Sequence, residues 1–285
     1  MTFPAGSFAS CFAKGYLMKK SIRFVLLSLV SAALAESTIG CATSPEGRRQ
    51  AMLVSDSQMD SMGAEAFGQM KSEIPIERDS ATNAYVKCVA NALTNALPEQ
   101  GNWEVVVFRD ETANAFALPG GKIGVHTGLL KVAQNQDQLA AVVGHEIGHV
   151  LARHGAERVS EQMVAQGVVL GTGLVLQRQN MGETKFQVMM AALGLGAQFG
   201  VLLPHGRAQE SEADIMGLKL MARAGFNPTE SVQLWRNMAA SGGPGVPEFM
   251  STHPGHDTRI DHLSSRMREA QGIYANAAQK PVCKR

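Results

Sequence analysis

Residues 138–154 read QLAAVVGHEIGHVLARH, an apolar segment that carries two histidines and a glutamate near its centre. Apolar residues occupy most sides of its helical projection, a pattern typical of a helix buried in a protein core. His145 and His149 are four positions apart, so on an α-helix their side chains lie on the same face, one turn apart. The segment therefore predicts a buried helix that directs two imidazoles to one point.

Glu146 completes the pattern HEIGH. Buried polar side chains need partners, because an unpaired one costs roughly 1 to 3 kcal/mol in an apolar environment. A zinc ion held by both imidazoles would be such a partner, and the adjacent carboxylate would act as a general base on water. Gly144 and Gly148 weaken the helix by about 1 kcal/mol each relative to alanine, which indicates that something approaches closely there. The alternative is a pair of ordinary buried histidines with hydrogen-bond partners.

A catalytic zinc ion needs three protein ligands and one open position. The segment RAQESEADIMGLKLMARAG at 207–225 offers the third ligand. Glu210 and Asp214 are four positions apart and share a helix face, whereas Glu212 is predicted to point elsewhere. Glu210 would complete the ligand set, and Asp214 would orient a ligand histidine through its other ring nitrogen. The alternative is a solvated acidic helix start, where the helix dipole favours carboxylates.

Four motifs, in this order, resemble the zinc metallopeptidase family that includes HtpX and the CAAX prenyl endopeptidase. The similarity is to its soluble periplasmic and lipoprotein branch, with LoiP, BepA and the mitochondrial OMA-type peptidase, and it covers the chain from Trp103 to Arg268. The motifs are NAFALPGGKIGVHTGLL at 114–130, HEIGHVLARHG at 145–155, RAQESEADIMGLKLMARAGFNP at 207–228 and STHPGHDTRI at 251–260.

The resemblance implies an α+β domain of the gluzincin type, mainly helical, with a small β-sheet beside the active-site helix. It implies that one zinc ion is bound by His145, His149 and Glu210, that Glu146 is the general base and that Asp214 is a supporting aspartate. The implied activity is a metalloendopeptidase that degrades misfolded or misassembled cell-envelope proteins. The alternative is an envelope chaperone or assembly-binding lipoprotein with a latent zinc site.

His253 lies in the motif STHPGHDTRI. In the similar branch of the family, a histidine in this loop can reach the zinc ion as a fourth ligand, which implies that His253 is a regulatory switch that holds the enzyme inactive. The alternative is that Thr252, His253 and Pro254 cap the last helix. The remaining histidines are predicted to be surface or capping residues: His126, His154, His205, His256 and His262.

A pair of strands is predicted at 114–118 and 123–126, joined by a Pro-Gly-Gly turn. The resemblance places this segment beside the zinc cleft. An exposed edge formed by Asn114, Ala115 and Phe116 would hold an extended peptide by main-chain hydrogen bonds, a mode that selects unfolded polypeptide rather than a particular sequence. Unfolded or misassembled polypeptides are therefore the expected substrates.

The balance of charge argues against one large class of function. The chain of 285 residues has 26 basic and 25 acidic residues, and it has no Lys/Arg tract with interleaved aromatic residues. Proteins that bind nucleic acid carry such basic surfaces, so we expect no nucleic acid partner. The apolar fraction of 45% is ordinary for a globular protein.

Residues 1–40 have the layout of a secretory signal peptide, with basic residues before an apolar run and small residues after it. The apolar run is short for a hydrocarbon layer of about 30 Å, so a permanent transmembrane helix is the lesser alternative. Met18 begins a more typical signal, which predicts that residues 1–17 are an upstream extension.

Two cleavage sites compete in this segment. Cleavage after Ala35 would give a soluble protein, whereas cleavage before Cys41, in the lipobox-like Thr-Ile-Gly-Cys, would leave a lipidated cysteine that anchors the chain to a membrane surface. Glu36 and Thr38 depart from the usual lipobox, but the small Gly40 favours it. We predict a lipoprotein exported to the bacterial periplasm and anchored at the outer membrane.

Residues 41–79 are then predicted to be a tether and N-terminal segment, with Ala42 to Gln50 flexible because they are polar, and residues 80–285 the metallopeptidase domain. Cys88 and Cys283 remain as an even pair in an oxidising compartment, and we predict a disulfide that ties the C-terminal tail to the first predicted helix, Ser80 to Leu97. The alternative is a buried free thiol at Cys88 and a loose tail.

Ser160 to Leu203 is apolar and rich in Gly, Ala and Met, and its last 18 residues carry no charge. A run of this length reaches the threshold for a membrane span. Its glycines and glutamines favour a helical hairpin in the core instead, and a membrane span is the alternative.

Overall fold

The computed structural model describes residues 40–99, 101–163, 206–240, 249, 253 and 256–285. The predicted signal peptide, apart from Gly40, and most of the apolar segment Ser160 to Leu203 lie outside the described residues. Among the helices of the described residues, none has the length and hydropathy that crossing a membrane would require.

The described chain is mainly helical with short strands, which confirms the predicted α+β class. Residues 154–163 are helical as well. The other elements, in chain order, are β1 (Gly40–Thr43), β2 (Arg49–Met52), α1 (Asp56–Glu73), α2 (Ser80–Asn95), β3 (Glu104–Phe108), β4 (Ala115–Leu118), β5 (Lys122–His126), α3 (Leu129–Val132), α4 (Gln136–Leu151), α5 (Arg207–Arg223), α6 (Thr229–Ala240) and α7 (His256–Ala275).

A three-stranded sheet has the order β3-β5-β4, with β5 in the centre. β3 pairs with β5 in parallel, and β4 pairs with β5 antiparallel, so the predicted pair of strands is confirmed. Gly120 and Gly121 both adopt positive φ angles, 77° and 71°, in the turn between β4 and β5. Only glycine adopts this conformation without strain, which explains the two glycines of the turn. β4 therefore forms one edge of the sheet.

Helix α4, which carries the HEIGH motif, begins where the side chain of Asn135 accepts a hydrogen bond from the backbone of Gln138. It is buried along most of its length, as its apolar pattern predicts. The glycines of α4 face α5, because a Cβ on Gly148 would lie 3.0 Å from the carbonyl oxygen of Ala213. From the α5 side, a Cβ on Gly217 would lie 2.7 Å from the backbone nitrogen of His145. The close approach predicted at the HEIGH glycines is therefore the approach of α5.

The C-terminal end of α4 differs from the prediction of one continuous helix over 138–154. The helix ends at Leu151, and Arg153 adopts the left-handed conformation with φ 57°. A new helical segment then starts at His154, whose side chain is fully buried at 0% exposure. The prediction that His154 is a surface or capping residue is therefore wrong, because the break in the helix turns this side chain inward.

The N-terminal hairpin, β1 and β2 with the turn between them at 40–52, replaces the predicted flexible tether. The two strands pair antiparallel from Gly40 opposite Met52 to Thr43 opposite Arg49. The Gln50 side chain is 2% exposed and donates to the carbonyl oxygen of Ala152 at 2.7 Å, at the end of α4. The prediction of a flexible segment from Ala42 to Gln50 is wrong, because this contact anchors the hairpin to the core.

Helix α1 and the C-terminal tail also pack on the domain. Phe67 of α1 makes edge-to-face contacts with Phe108 and Phe116 of the sheet. In the tail, Cys283 forms a disulfide with Cys88 of α2, with 5.7 Å between their Cα atoms. The tail therefore lies against α2, where the sequence places it.

Candidate metal centre

Four buried side chains meet at one point, two from α4, one from α5 and one that precedes α7 in the chain: His145, His149, Glu210 and His253. The Nε2 atoms of His145 and His149 are 3.0 Å apart, as expected for two imidazoles one turn apart on a helix. Glu210 reaches them from α5, with its carboxylate oxygens 3.4 Å from each Nε2. The ligands that the sequence predicts on two helices some sixty residues apart thus lie together.

The spacing of these atoms fits a tetrahedral metal ion. Ligand bonds of about 2.0 to 2.2 Å around zinc give ligand-to-ligand distances of about 3.3 Å. His253 Nδ1 lies 3.3 Å from His145 Nε2 and 3.0 Å from Glu210 Oε1, in the same range as the other pairs. Two facing imidazole nitrogens also need a proton or a cation between them. The donor set therefore fits zinc.

His145 is supported by a carboxylate. Its Nδ1 lies 2.9 Å from Asp214 Oδ1, one helix turn from Glu210 on α5, so its Nε2 is left to face the cluster. Burial lowers the pKa of His145, but hydrogen bonds to Asp214 and Glu210 raise it to about 9. The predicted supporting position of Asp214 is therefore the position that the structure gives it.

Arg259 on α7 is a residue that the sequence analysis did not single out. Its Nε donates to Asp214 at 2.6 Å, and its Nη2 donates to Glu210. Its guanidinium group also lies 4.0 Å from the ring centroid of Trp235. Burial raises the pKa of Asp214, but the charge of Arg259 and the contacts with His145 together outweigh this effect and lower it. One buried cation thus holds two carboxylates of α5, Glu210 and Asp214, in place.

His149 is supported through a second histidine. Its Nδ1 lies 2.8 Å from His154 Nδ1, and His154 Nε2 lies 3.1 Å from Glu212 Oε2. Burial lowers the pKa of His154, which favours the neutral ring. Glu212 is 5% exposed, and the Nε of Arg48 donates to it at 3.0 Å. Glu212 points away from the ligand face as predicted, but it points into a second buried polar cluster.

Glu146 lies beside the ligands and is 4% exposed. Its Oε1 is 3.4 Å from His253 Nε2, so this carboxylate and the ligand cluster face the same space. Burial raises the pKa of Glu146, and the nearby histidines and a hydrogen bond from the backbone of Ala117 partly oppose that rise. A raised pKa suits a carboxylate that takes up a proton and gives it back.

His253 is 5% exposed, and its ring stacks on that of Phe249 with 4.5 Å between centroids. Its Nδ1 points to the ligand atoms and its Nε2 points to Glu146. The structure therefore brings His253 into the cluster, as the resemblance implies. A regulatory role for this contact stays a prediction.

The predicted substrate edge lies near Glu146, because Ala117 belongs to β4. The carbonyl oxygen of Asn114 accepts a hydrogen bond from the backbone of His126, and Ala115 is 2% exposed. Phe116 is half-buried and stacks on Phe108 with 5.9 Å between centroids. These residues position the strand, and its use in substrate binding stays a prediction.

The geometry can be compared with known proteins. A model of peptidase family M48 matches residues 76–267, more than half of the chain. The chain belongs to peptidase family M48. This family uses zinc, and the match confirms both the family and the metal expected from the resemblance. The cluster of His145, His149, Glu210 and His253 lies within the matched residues.

Relatives of this family member occur in mitochondria and in bacteria. Mitochondrial metalloendopeptidase OMA1 of Saccharomyces cerevisiae is 35% identical over 205 residues, which are 67% of this chain and 56% of that protein. The same protein of Schizosaccharomyces pombe is 39% identical over 178 residues, 59% of this chain and 48% of that one. The beta-barrel assembly-enhancing protease of Yersinia pestis is 29% identical over 224 residues, which are 76% of this chain and 45% of that protein. The chain spans about half the length of these relatives.

Proposed function

We propose that this member of family M48 is a zinc-dependent endopeptidase that hydrolyses peptide bonds in misfolded or misassembled proteins of the cell envelope. The observation that carries the proposal is the buried set of His145, His149 and Glu210 with Glu146 at its side. Three ligands beside a carboxylate that can move protons are the parts that a hydrolytic zinc site needs.

The roles of the residues follow from their positions. When bound there, zinc supplies a Lewis acid that polarises the scissile carbonyl and activates water. Glu146 takes the proton of the attacking water and returns it to the leaving amine nitrogen. Asp214 keeps the proton of His145 on Nδ1, which leaves Nε2 free as a ligand atom.

The position of strand β4 at the edge of the sheet favours an unfolded polypeptide as the substrate. β4 is an edge strand, and its Ala117 contacts Glu146, so a peptide that paired with this edge would run past the carboxylate. Main-chain pairing of this kind recognises an extended backbone rather than a particular sequence. Asn114, Ala115 and Phe116 form the start of this edge in the proposal.

Export to the bacterial envelope is supported by the signal-like N-terminus and by the disulfide between Cys88 and Cys283, because disulfides persist in oxidising compartments. In the proposal, residues 1–40 are removed, Cys41 carries the lipid and residues 80–285 form the catalytic domain. The name of the Yersinia pestis relative refers to barrel assembly, which also favours an envelope location. The intact mass of the mature protein tests this directly: an acylated Cys41 supports the anchor, and an unmodified chain starting at Glu36 contradicts it.

The test of the enzymatic proposal is Glu146→Gln. We expect the variant to keep its zinc, because the ligands are unchanged, and to lose hydrolysis of an unfolded substrate such as casein. Glu65→Gln, an exposed glutamate on α1, is the matched control and should behave as the unaltered protein. Turnover retained by Glu146→Gln would rule out this base.

A second candidate is a latent site in an envelope chaperone or assembly-binding protein. It is favoured by His253 Nδ1, which lies 3.0 to 3.3 Å from two ligand residues and so occupies the position of a fourth ligand. A zinc site with four protein ligands leaves no place for water. His253→Ala should then increase proteolysis, whereas His262→Ala on α7 should not. Proteolysis that His253→Ala leaves unchanged or lowers would argue against the latent site.

A further inference from the structure

We propose that the N-terminal hairpin at 40–52 is a positioning element of the zinc site, in which Arg48 fixes Glu212, and Glu212 in turn fixes His154 and the zinc ligand His149. The inference rests on the proposed zinc function. The hairpin lies before the segment matched by the family model, which starts at residue 76, whereas the residues on which it acts lie within that segment.

The tautomers of His149 and His154 follow from the contacts of their ring nitrogens. A metal ligand needs a bare ring nitrogen, so His149, whose Nε2 faces the cluster, carries its proton on Nδ1. That proton is donated to His154 Nδ1, 2.8 Å away. His154 then carries its own proton on Nε2 and donates it to Glu212 Oε2 at 3.1 Å. Each donor has one acceptor, and the series ends on a carboxylate.

The Glu212 carboxylate is held by groups of the N-terminal hairpin. Arg48 Nε donates to Glu212 Oε2 at 3.0 Å, and the backbone nitrogen of Glu46 lies 3.4 Å from Glu212 Oε1. Ser44 donates to the same carboxylate through its side chain. All three groups belong to the N-terminal hairpin. Besides His154, residues 44–48 therefore supply three of the groups that hold the Glu212 carboxylate.

The hairpin itself is held by contacts with Glu157. Both terminal nitrogens of Arg48 donate to Glu157, in the helical segment that follows α4. Gln50 reaches the same carboxylate at 3.2 Å. A guanidinium that bridges two carboxylates is fixed in orientation as well as in position. The hairpin thus connects the buried carboxylates of Glu157 and Glu212 with a single half-buried guanidinium group.

Burial makes the connection sensitive. His154 is 0% exposed, Glu157 is 3% exposed and Glu212 is 5% exposed, so water cannot replace a lost partner freely. Without Arg48, Glu212 loses its cation and its hold on His154, and the ring of His149 is no longer kept in one orientation. Groups that support metal ligands in this way typically contribute about tenfold to hundredfold in metal affinity. Because Cys41 lies in β1, the hairpin also joins the proposed lipid anchor to the zinc site.

The experiment compares zinc binding by Arg48→Met, Arg48→Lys and Arg49→Met. Arg49 is adjacent, has the same charge and is exposed, which makes it the matched control. Zinc dissociation constants are measured by competition with a chelator, and the visible absorption of the cobalt-loaded proteins reports the ligand geometry. We expect Arg48→Met to weaken zinc binding up to about tenfold, the lower end of this range, because Arg48 acts through two intermediates, and to change the cobalt spectrum. Arg48→Lys should restore part of the affinity, and Arg49→Met should match the unaltered protein.

Glu212→Gln provides a second test if Arg48→Met does not fold, because it retains the shape of the side chain while removing its charge. It should weaken zinc binding in the same direction. Zinc affinity and cobalt spectrum unchanged in the folded Arg48 or Glu212 variants would overturn the inference and leave the proposed function intact. Failure of the unaltered protein to bind zinc would overturn the proposed function as well.

Discussion

The two histidines of the HEIGH motif are supported in similar ways by different parts of the chain. Behind His145 lies one carboxylate, and behind it Arg259 of α7, whose side chain is 2% exposed. Behind His149 lie a histidine and a carboxylate, and behind them Arg48 of the N-terminal hairpin, whose side chain is 27% exposed. Each series of supporting groups ends on an arginine. The series behind His145, here called the core support, lies entirely within the core of the domain. The series behind His149, here called the N-terminal support, does not.

The difference separates what the family domain supplies from what the N-terminal segment adds. Arg259 lies within the residues that match the family model, and Arg48 lies outside them. Arg259 also contacts the proposed zinc ligand Glu210 itself, whereas Arg48 acts on the proposed ligand His149 through two intermediates. Loss of the first support should therefore affect folding and metal binding together, and loss of the second should affect chiefly the metal.

Arg259→Met should break the core support with the largest effect. It leaves Glu210 and Asp214 as neighbouring buried carboxylates without their cation, and breaking a buried ion pair typically costs about 3 to 5 kcal/mol. Denaturant unfolding measures the loss of stability, and metal analysis should show loss of zinc. Arg266→Met, an exposed arginine two turns further along α7, is the control. A variant as stable as that control would contradict a structural role for Arg259.

Cys283→Ser should separate stability from metal binding. The disulfide with Cys88 closes a long loop of 195 positions and lies on α2, away from both supports. Its loss should lower the free energy of unfolding by about 2 to 4 kcal/mol, while the zinc dissociation constant stays unchanged. Reduction of the unaltered protein should give the same result. If zinc affinity fell with stability, effects of other variants on zinc could not be assigned to the two supports.

Asp214→Asn and Glu212→Gln compare the supports directly, because each removes one charge with little change of shape. We expect both to weaken zinc binding, with Asp214→Asn nearer the upper end of the range of about tenfold to hundredfold. Asp214 contacts the ligand His145 itself, and Glu212 acts through His154. Competition with a chelator measures both. A larger loss in Glu212→Gln would reverse the order of the two supports.

The smallest effect concerns pH and the docking of the N-terminal hairpin. Burial raises the pKa of Glu157, but hydrogen bonds from Arg48 and two glutamines lower it below the usual 4.5. A lowered carboxyl pKa stabilises the folded state above the unfolded pKa, and this contribution is lost as the pH falls through the folded pKa. The stability difference between the unaltered protein and Arg48→Met, of up to about 1 kcal/mol, should thus shrink below pH 4.5.

Urea unfolding at a series of pH values, with the metal removed by a chelator, measures this difference without a contribution from zinc release. Arg49→Met should show no such change with pH. A difference that stays constant down to acid pH would mean that the pair of Arg48 and Glu157 does not contribute to stability.

The core support could largely be predicted from the sequence. His145, His149, Glu210 and Asp214 all lie on helices at spacings of four, where sequence position fixes the shared face. Gly144 and Gly148 also predicted the close approach of another element, which is α5. Arg259 escaped the analysis, although it lies in the motif STHPGHDTRI, because an arginine in a helix near the C-terminus is usually solvated.

The N-terminal support could not be predicted in this way. His154 follows a left-handed residue at Arg153, so helical spacing from His149 no longer gives its direction. The hairpin at 40–52 has a polar sequence, which favours a flexible segment, and its order comes from pairing Arg48 with Glu157 and Glu212 across more than a hundred positions. Ion pairs between such distant residues produce no local periodicity in the sequence from which the hairpin could be predicted.

Anomalous X-ray diffraction at the zinc absorption edge, from crystals of the purified protein, tests the proposed metal centre directly. We expect one anomalous peak per chain, about 2.0 to 2.2 Å from the Nε2 atoms of His145 and His149 and from a carboxylate oxygen of Glu210. A peak elsewhere, or a zinc ion that Glu210 does not touch, would contradict it.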